Sequence, residues 1–180
     1  ETSFAVKCGE RVDAGYATHI LGRGNILNIT AALAVAERMG VSVEARRRAV
    51  KQIEQVEHRL SMRRSGGVAI LDDAYNSNPT GARMALEVLS HFATKGRRYV
   101  VTPGFVEMGA KQYDNNRAFG RDIALSKADA VYVVNEVNRK AIVEGLSEGG
   151  YPEDRVHPVA SFTEAMAELQ PHLKVGDVVL

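Results

Sequence analysis

Residues 68–79 read VAILDDAYNSNP and contain a strand, a polar loop and the start of a helix in close succession. The apolar run from Val68 to Leu71 is typical of a buried strand. Asn78 followed by Pro79 indicates the start of a helix, because Asn caps free backbone N–H groups and Pro fits the first helical position. The stretch therefore predicts one strand–helix unit with a polar loop at the carboxyl end of its strand.

The same unit recurs through the rest of the chain. Helices are predicted from residue 78 to about Phe92 and over residues 111–126 and 136–147, and the capping box that begins at Ser161 predicts another. The spacing predicts further strands over residues 99–102, 130–134, 155–158 and 177–180. Repeated strand–helix units predict an α/β fold with a doubly wound, mostly parallel sheet covered on both faces.

The first third of the chain follows a different pattern. Alternating apolar residues within the first twenty positions predict two short antiparallel strands. Helical spacing predicts a helix over residues 25–39 that ends at Gly40, and a second helix that is capped by Ser42 and runs to about Glu57. We expect these elements to have no sheet of their own to cover. A domain boundary near residues 58–60 then divides the chain into residues 1–59 and residues 60–180.

Composition excludes several classes of protein. The single Cys8 excludes an internal disulfide framework and, with no secretory signal in view, favours a cytoplasmic location. No apolar run reaches the length of about 18 residues that indicates a membrane-spanning helix. The balance of 23 Lys and Arg against 22 Asp and Glu argues against a nucleic-acid-binding protein. We expect the basic run Arg46-Arg47-Arg48 to lie on a solvated face.

Ligands of such sheets bind beyond the carboxyl ends of the strands, so three loops are of interest, of which the third is the short segment Asn135-Glu136. The loop after the first buried strand, residues 72–79, is rich in carboxylate and carboxamide groups and leads into a helix N-terminus, which favours anions such as phosphate or carboxylate. A carboxylate at a strand end can also accept hydrogen bonds from both hydroxyls of a ribose. Asp and Asn are equally common as plain turn residues. In the loop over residues 103–109, Phe105, Val106 and Met108 are apolar, which indicates either a mobile lid or a loop packed into the core.

Familiar phosphate and metal motifs are missing from these residues. The chain contains no G-x-x-x-x-G-K-[ST] phosphate-binding loop and no dinucleotide-binding glycine pattern after a strand. The five His residues show no metal-ligand spacing with one another or with Cys8, so a zinc site is not expected.

Three strings resemble the C-terminal part of the Mur ligases: LGRGNILNITAALAVAERMG at residues 21–40, EHRL at 57–60, and ILDDAYNSNPTGARMALEVL at 70–89. Among these ligases the similarity is greatest to those that add D-Ala-D-Ala. The resemblance implies that residues 1–59 are a mainly helical remnant of the central ATP-binding domain. Residues 60–180 would then be the Rossmann-like C-terminal domain, truncated near its end.

The resemblance also implies a chemistry and its partners. Mur ligases make peptidoglycan precursors by ATP-dependent amide synthesis through an acyl phosphate. The expected substrates are a UDP-MurNAc-peptide and D-Ala-D-Ala. The expected cofactor is ATP, with Mg²⁺ held by residues upstream of this chain. The upstream domains of the same protein are further partners, and neither nucleic acid nor membrane insertion is expected. The phosphate-binding loop and the catalytic residues would also lie upstream, so we expect this part to be inactive alone.

Individual site residues follow from the same resemblance. Asn25 matches the asparagine that contacts adenine, and its position is also compatible with a helix N-cap. Arg59 matches an arginine near the nucleotide, and Asp73 resembles the carboxylate that holds the ribose hydroxyls. The residues expected near the phosphates and the incoming dipeptide are Tyr75, Asn76, Asn78 and the loop glutamate Glu107.

Two departures from the family pattern leave other readings open. Gly24 stands where the family usually has His, and residues 102–109 differ from the usual loop near the acceptor site. One alternative is another amide ligase of the superfamily, similar to folylpolyglutamate or cyanophycin synthetases. Another is a non-catalytic, flavodoxin-like regulatory domain. The helical segment over residues 25–57 argues against this alternative.

Overall fold

A β-hairpin opens the chain and two helices pack against it. The computed structural model describes all 180 residues, and these first elements are β1 (Thr2–Cys8), β2 (Arg11–Thr18), α1 (Arg23–Arg38) and α2 (Val43–Lys51). β1 and β2 pair antiparallel, as predicted. The expectation that these elements have no sheet to cover is wrong, because the hairpin and helices share a small core. Its buried members are Tyr16, Ile29, Leu33 and Val50.

Helix α2 is shorter than predicted. Its start is as expected, since the Ser42 hydroxyl accepts the Ala45 N–H at 3.3 Å. It ends at Lys51 instead of continuing to Glu57. The segment beyond it leaves the helix and turns toward the sheet, where the Gln55 side chain accepts the Met62 N–H. A tertiary contact thus overrides the local helical pattern.

Arg46 corrects another prediction. It is only 5% exposed and does not lie on a solvated face. Its guanidinium lies 3.3 Å from the Asp13 carboxylate of β2 and 3.4 Å from the Glu37 carboxylate of α1. Arg11 pairs with the same Glu37. The cluster ties the hairpin to both helices, which is why the side chain is buried.

The rest of the chain builds a six-stranded sheet in the order β3-β4-β8-β5-β6-β7. All neighbours are parallel except β3, which runs antiparallel to β4. The predicted doubly wound, mostly parallel sheet is confirmed. The strands are β3 (Ser61–Ser65), β4 (Val68–Asp72), β5 (Arg98–Thr102), β6 (Ala130–Val134), β7 (Val156–Val159) and β8 (Val178–Val179), and the helices are α3 (Pro79–His91), α4 (Gln112–Ala124), α5 (Arg139–Glu148) and α6 (Phe162–Leu169).

Both faces of the sheet carry helices. Val131 and Val133 of β6 pack with α3, α4 and α5, whereas the alternate residues Tyr132 and Val134 pack with α6. After β7 the chain returns to the centre of the sheet, where it forms β8 parallel to its neighbours. This crossover runs across the sheet in the opposite direction from the one between β6 and β7. Because crossovers are right-handed, α6 lies on the opposite face from the other helices.

Helix boundaries follow local hydrogen bonds. α5 begins at Arg139 and not at Glu136, because Asn135 adopts a positive φ of 61° and its side chain accepts the Val137 N–H at 3.0 Å. α6 begins after Ser161, whose hydroxyl accepts a backbone N–H as predicted. None of the six helices combines the length and the apolar character needed to cross a membrane.

Candidate functional site at the carboxyl edge of the sheet

The segment before β3 is held against the loop that follows β4. The Tyr75 N–H donates to the His58 carbonyl at 3.1 Å, and the His58 ring lies 2.8 Å from the Asp72 carboxylate. The Arg59 guanidinium lies 4.2 Å from the centroid of the Tyr75 ring. His58 and Leu60 both have positive φ, at 58° and 53°. Non-glycine residues persist in this conformation only where their surroundings impose it, and here the β4 loop does so.

Asp73 is a half-buried carboxylate in the same loop. Burial raises the pKa of its carboxyl group, and the neighbouring Asp72 acts in the same direction. A hydrogen bond from the Leu60 backbone and the charge of Arg59 act on that pKa in the opposite direction, but burial outweighs them. The carboxylate makes no ion pair. A partly desolvated carboxylate of this kind gains from accepting hydrogen bonds from a ligand.

A polar cavity of about 360 Å³ lies between the start of α1 and this loop. It brings together five of the seven predicted site residues. Its further walls come from the start of α1, from Leu60 and from the start of α3, including Met84. The five predicted residues are Asn25, Arg59, Asp73, Asn76 and Asn78.

Asn25 and Asn78 offer different hydrogen-bonding groups to this cavity. Asn25 lies inside the first turn of α1, where Gly22 and not Asn25 occupies the N-cap position. The Asn25 Nδ2 donates to the Leu21 carbonyl at 2.8 Å, which leaves its Oδ1 and one N–H unpaired. Asn78 caps α3 as predicted, because its Oδ1 accepts the Thr80 and Gly81 N–H groups at 3.1 and 3.0 Å. Asn78 can therefore offer a ligand only its amide donors.

A second, larger cavity of about 620 Å³ lies at the carboxyl ends of β4, β5 and β8. Tyr75, which is 66% exposed, borders this cavity together with Val106. Asp73 and Asn76 line both cavities, so the loop after β4 forms the wall between them. The lining of the larger cavity is mainly apolar, in contrast to the smaller one.

The loop after β5 is packed into the core through Phe105, which favours the second of the two interpretations of its apolar residues. Phe105 is 1% exposed, and its ring centroid lies 4.7 Å from that of Phe119. The next residue, Val106, is 56% exposed and faces the larger cavity. Glu107 has a positive φ of 60° and lines neither cavity. The structure therefore does not bring Glu107 together with the other predicted site residues.

Comparison with known proteins identifies the family. The family model described as "Mur ligase, glutamate ligase domain" matches residues 58–180. The chain belongs to the Mur ligase family. The chain is 23% identical over 180 residues to UDP-N-acetylmuramoyl-tripeptide–D-alanyl-D-alanine ligase of Bacillus subtilis, covering 99% of this chain and 38% of that protein. It is 32% identical over 167 residues to UDP-N-acetylmuramate–L-alanine ligase of Brucella anthropi, covering 88% and 35%.

A solved Mur ligase has the same fold. The structure of MurF ligase from Thermotoga maritima in complex with ADP superimposes with a TM-score of 0.73 at 25% identity, covering 93% of this chain and 35% of that one. The chain spans little more than a third of the length of these relatives.

Some residues that line the smaller cavity were missed from sequence. Asn28 lines the smaller cavity one helical turn after Asn25, a spacing that could have indicated it. The structure also gives a reason for Gly24, since a Cβ there would lie 2.5 Å from the Met84 sulfur. Met84 thus fills the space that a larger side chain at position 24 would need. Nothing in the local pattern around Met84 indicates this contact.

Proposed function

We propose that this chain provides the nucleotide-binding and amine-binding contacts of an ATP-dependent ligase that adds D-Ala-D-Ala to a UDP-MurNAc-peptide in the cytoplasm. The observation that carries the proposal is the smaller cavity, which gathers Asn25, Arg59 and Asp73 from two separate parts of the chain. The relative from Thermotoga maritima, described in complex with ADP, supports a nucleotide as the ligand.

The groups in the smaller cavity suit a nucleoside. The free Oδ1 and N–H of Asn25 offer an acceptor and a donor side by side, as the edge of adenine requires. The Asp73 carboxylate can accept both hydroxyls of a ribose. Arg59 carries a positive charge at the cavity wall, where it would favour the anionic end of the nucleotide.

The larger cavity would hold the incoming amine. ATP supplies the phosphoryl group that activates the substrate carboxylate. Within this chain, the roles left to Tyr75, Asn76 and Asn78 are to orient the amine beside the phosphates and to exclude water from the activated acyl group. Mg²⁺ and the phosphate-binding loop would be provided by parts of the protein outside these residues.

We also propose that residues 1–59 and 60–180 belong to two domains. The hairpin and helices α1 and α2 have a core cluster of their own, separate from the clusters on the two faces of the sheet. Arg59 lies in the joining segment and lines the smaller cavity, so the nucleotide would bind where the two domains meet.

Phosphate release from ATP by the full-length protein tests the proposal. Release should require both the UDP-MurNAc-tripeptide and D-Ala-D-Ala. L-Ala, D-Glu and L-Glu are the comparison amines, because they represent other ligases of the superfamily. Release that is supported by one of these and not by D-Ala-D-Ala would overturn the substrate assignment. The 180-residue chain alone should release no phosphate.

A further inference from the structure

Two buried asparagines face the loop at residues 103–109, and neither has a role in the site described so far. Asn116 lies on α4 and Asn138 directly precedes α5. Both are almost completely buried. Buried amides are costly unless their hydrogen bonds are satisfied, so the partners of these two show what the side chains hold.

Asn116 pairs with the backbone of Phe105 in both directions. Its Oδ1 accepts the Phe105 N–H at 2.8 Å, and its Nδ2 donates to the Phe105 carbonyl at 3.0 Å. The Asn116 side chain thereby makes the two backbone hydrogen bonds that a neighbouring strand would make, at a position beyond the end of β5. Its Nδ2 also lies 3.1 Å from the Oδ1 of Asn138, which links the two amides.

Asn138 extends this contact along the loop. Its Nδ2 donates to the carbonyls of Pro103 and Phe105, each at 2.9 Å, and its Oδ1 also accepts from Gln112 at 3.1 Å. An asparagine at the start of a helix normally caps that helix. Asn138 makes no side-chain cap bond to α5, so its amide forms hydrogen bonds with the loop and not with the helix.

Gly104 permits this close approach. Its φ is 74°, and a Cβ at this position would lie 2.3 Å from the Asn116 Oδ1. The loop backbone therefore touches the two amides directly. With Phe105 fixed inward, Val106 is directed to the larger cavity.

We propose that Asn116 and Asn138 are positioning residues that hold the loop in the shape bordering the larger cavity and thereby set the affinity of the ligase for its incoming amine. The inference rests on the proposed function, since it takes the larger cavity as the amine site. The two residues act through the loop backbone and contact no substrate themselves.

Kinetics of the full-length ligase test the effect on the amine. Asn116→Leu and Asn138→Leu keep the number of side-chain heavy atoms and the branched shape, and remove the hydrogen bonds. Each should raise the KM for D-Ala-D-Ala about tenfold or more while the KM for ATP changes less than about twofold. Gln112→Ala removes a single bond from a partly exposed side chain, and should raise the amine KM a few-fold even if the leucine variants fold poorly.

Tyr151→Phe is the matched control. It removes one bond to a carbonyl, the 2.9 Å contact with Ala128, outside both cavities. It should leave both KM values unchanged. A folded, active leucine variant with an unchanged amine KM would overturn the inference and leave the proposed function intact.

Hydrogen exchange in the 180-residue chain gives a readout that needs no activity. The Phe105 N–H should be protected in the wild type and in Tyr151→Phe, and should exchange at least about tenfold faster in Asn116→Leu. Equal protection in Asn116→Leu would show that the amide does not hold the loop. A wild-type ligase without amine-dependent phosphate release would overturn the proposed function, and the amine role of the asparagines with it, before any variant is compared.

Discussion

The Arg59 guanidinium stacks over the Tyr75 ring at 4.2 Å from its centroid. The contact joins the segment before β3 to the loop after β4, and it places Arg59 at the wall of the smaller cavity while Tyr75 borders the larger one. One pair thus connects the two candidate ligand sites. The attraction between a cation and an aromatic ring is expected to stabilise this arrangement.

A double-mutant cycle measures that contact. Arg59→Gln and Tyr75→Leu should show a coupling of about 0.5–1 kcal/mol in the free energy of unfolding, measured by urea denaturation. Tyr75→Phe keeps the ring and should preserve the coupling. Strictly additive effects of the first two substitutions would mean that the stacking contributes no stability.

Asp73→Asn should stabilise the fold at neutral pH. Because burial raises the pKa of the Asp73 carboxyl in the folded chain, folding favours the protonated form. Stability is therefore lost as pH rises through the folded-state pKa, and this cost is absent below the unfolded-state value of about 4. The thermal midpoint of Asp73→Asn should exceed that of the wild type at pH 7, and the difference should vanish near pH 3. Asp154→Asn, at an exposed position, is the matched control.

The same substitution should weaken nucleotide binding. A neutral amide accepts hydrogen bonds from ribose hydroxyls less strongly than a carboxylate, so the KM of the full-length ligase for ATP should rise by about tenfold. The KM for the amine should change little. An unchanged ATP KM would remove Asp73 from the nucleotide site.

Arg46→Ala should destabilise the first part of the chain. It removes the buried cation that lies beside the carboxylates of Asp13 and Glu37, although Arg11 still pairs with both, so the free energy of unfolding should fall by about 1–3 kcal/mol. Arg48→Ala, at an exposed position of the same helix, should change stability by less than about 0.5 kcal/mol. Similar small effects for both arginines in chemical denaturation would contradict a structural role for Arg46.

Gly104→Ala and Gly109→Ala separate backbone strain from steric contact. Both glycines have positive φ, at 74° and 54°, so an alanine at either costs about 1–2 kcal/mol in conformation. Only at Gly104 would the Cβ also meet Asn116, because nothing lies within 4 Å of the corresponding position at Gly109. Gly104→Ala should therefore lose at least about 1 kcal/mol more in a denaturation experiment. Equal losses would mean that the loop moves freely away from Asn116.

Features with local causes could be predicted from the sequence. The Asn78 cap with Pro79 and the Ser161 cap depend on bonds to nearby residues, and both are confirmed. The edge strand β3 was missed, because Ser61–Ser65 is polar and charged and shows no apolar alternation. Such composition is common at sheet edges, where charge discourages pairing with other chains.

Features that depend on distant partners could not be predicted. Arg46 is buried because Asp13, 33 residues away, faces it across the hairpin. The amides of Asn116 and Asn138 lie in segments that read as ordinary polar helix, and only the folded loop shows which carbonyls they meet. The cavity residues Asn25 and Asp73 were named through family resemblance. The physical pattern alone did not distinguish whether the loop that contains Asp73 is a plain turn or a ligand-binding site.

The position of β8 has a consequence for how the sheet assembles. Val178 and Val179 pair with β4 on one side and β5 on the other, although β4 lies more than a hundred residues earlier in the chain. Until these residues are available, β3–β4 and β5–β6–β7 are separate ribbons with no ladder between them. Pairings of such long sequence separation are slow to form. On the ribosome, we expect this sheet to remain in two parts, with its middle open to proteases and chaperones, until translation has passed its last strand.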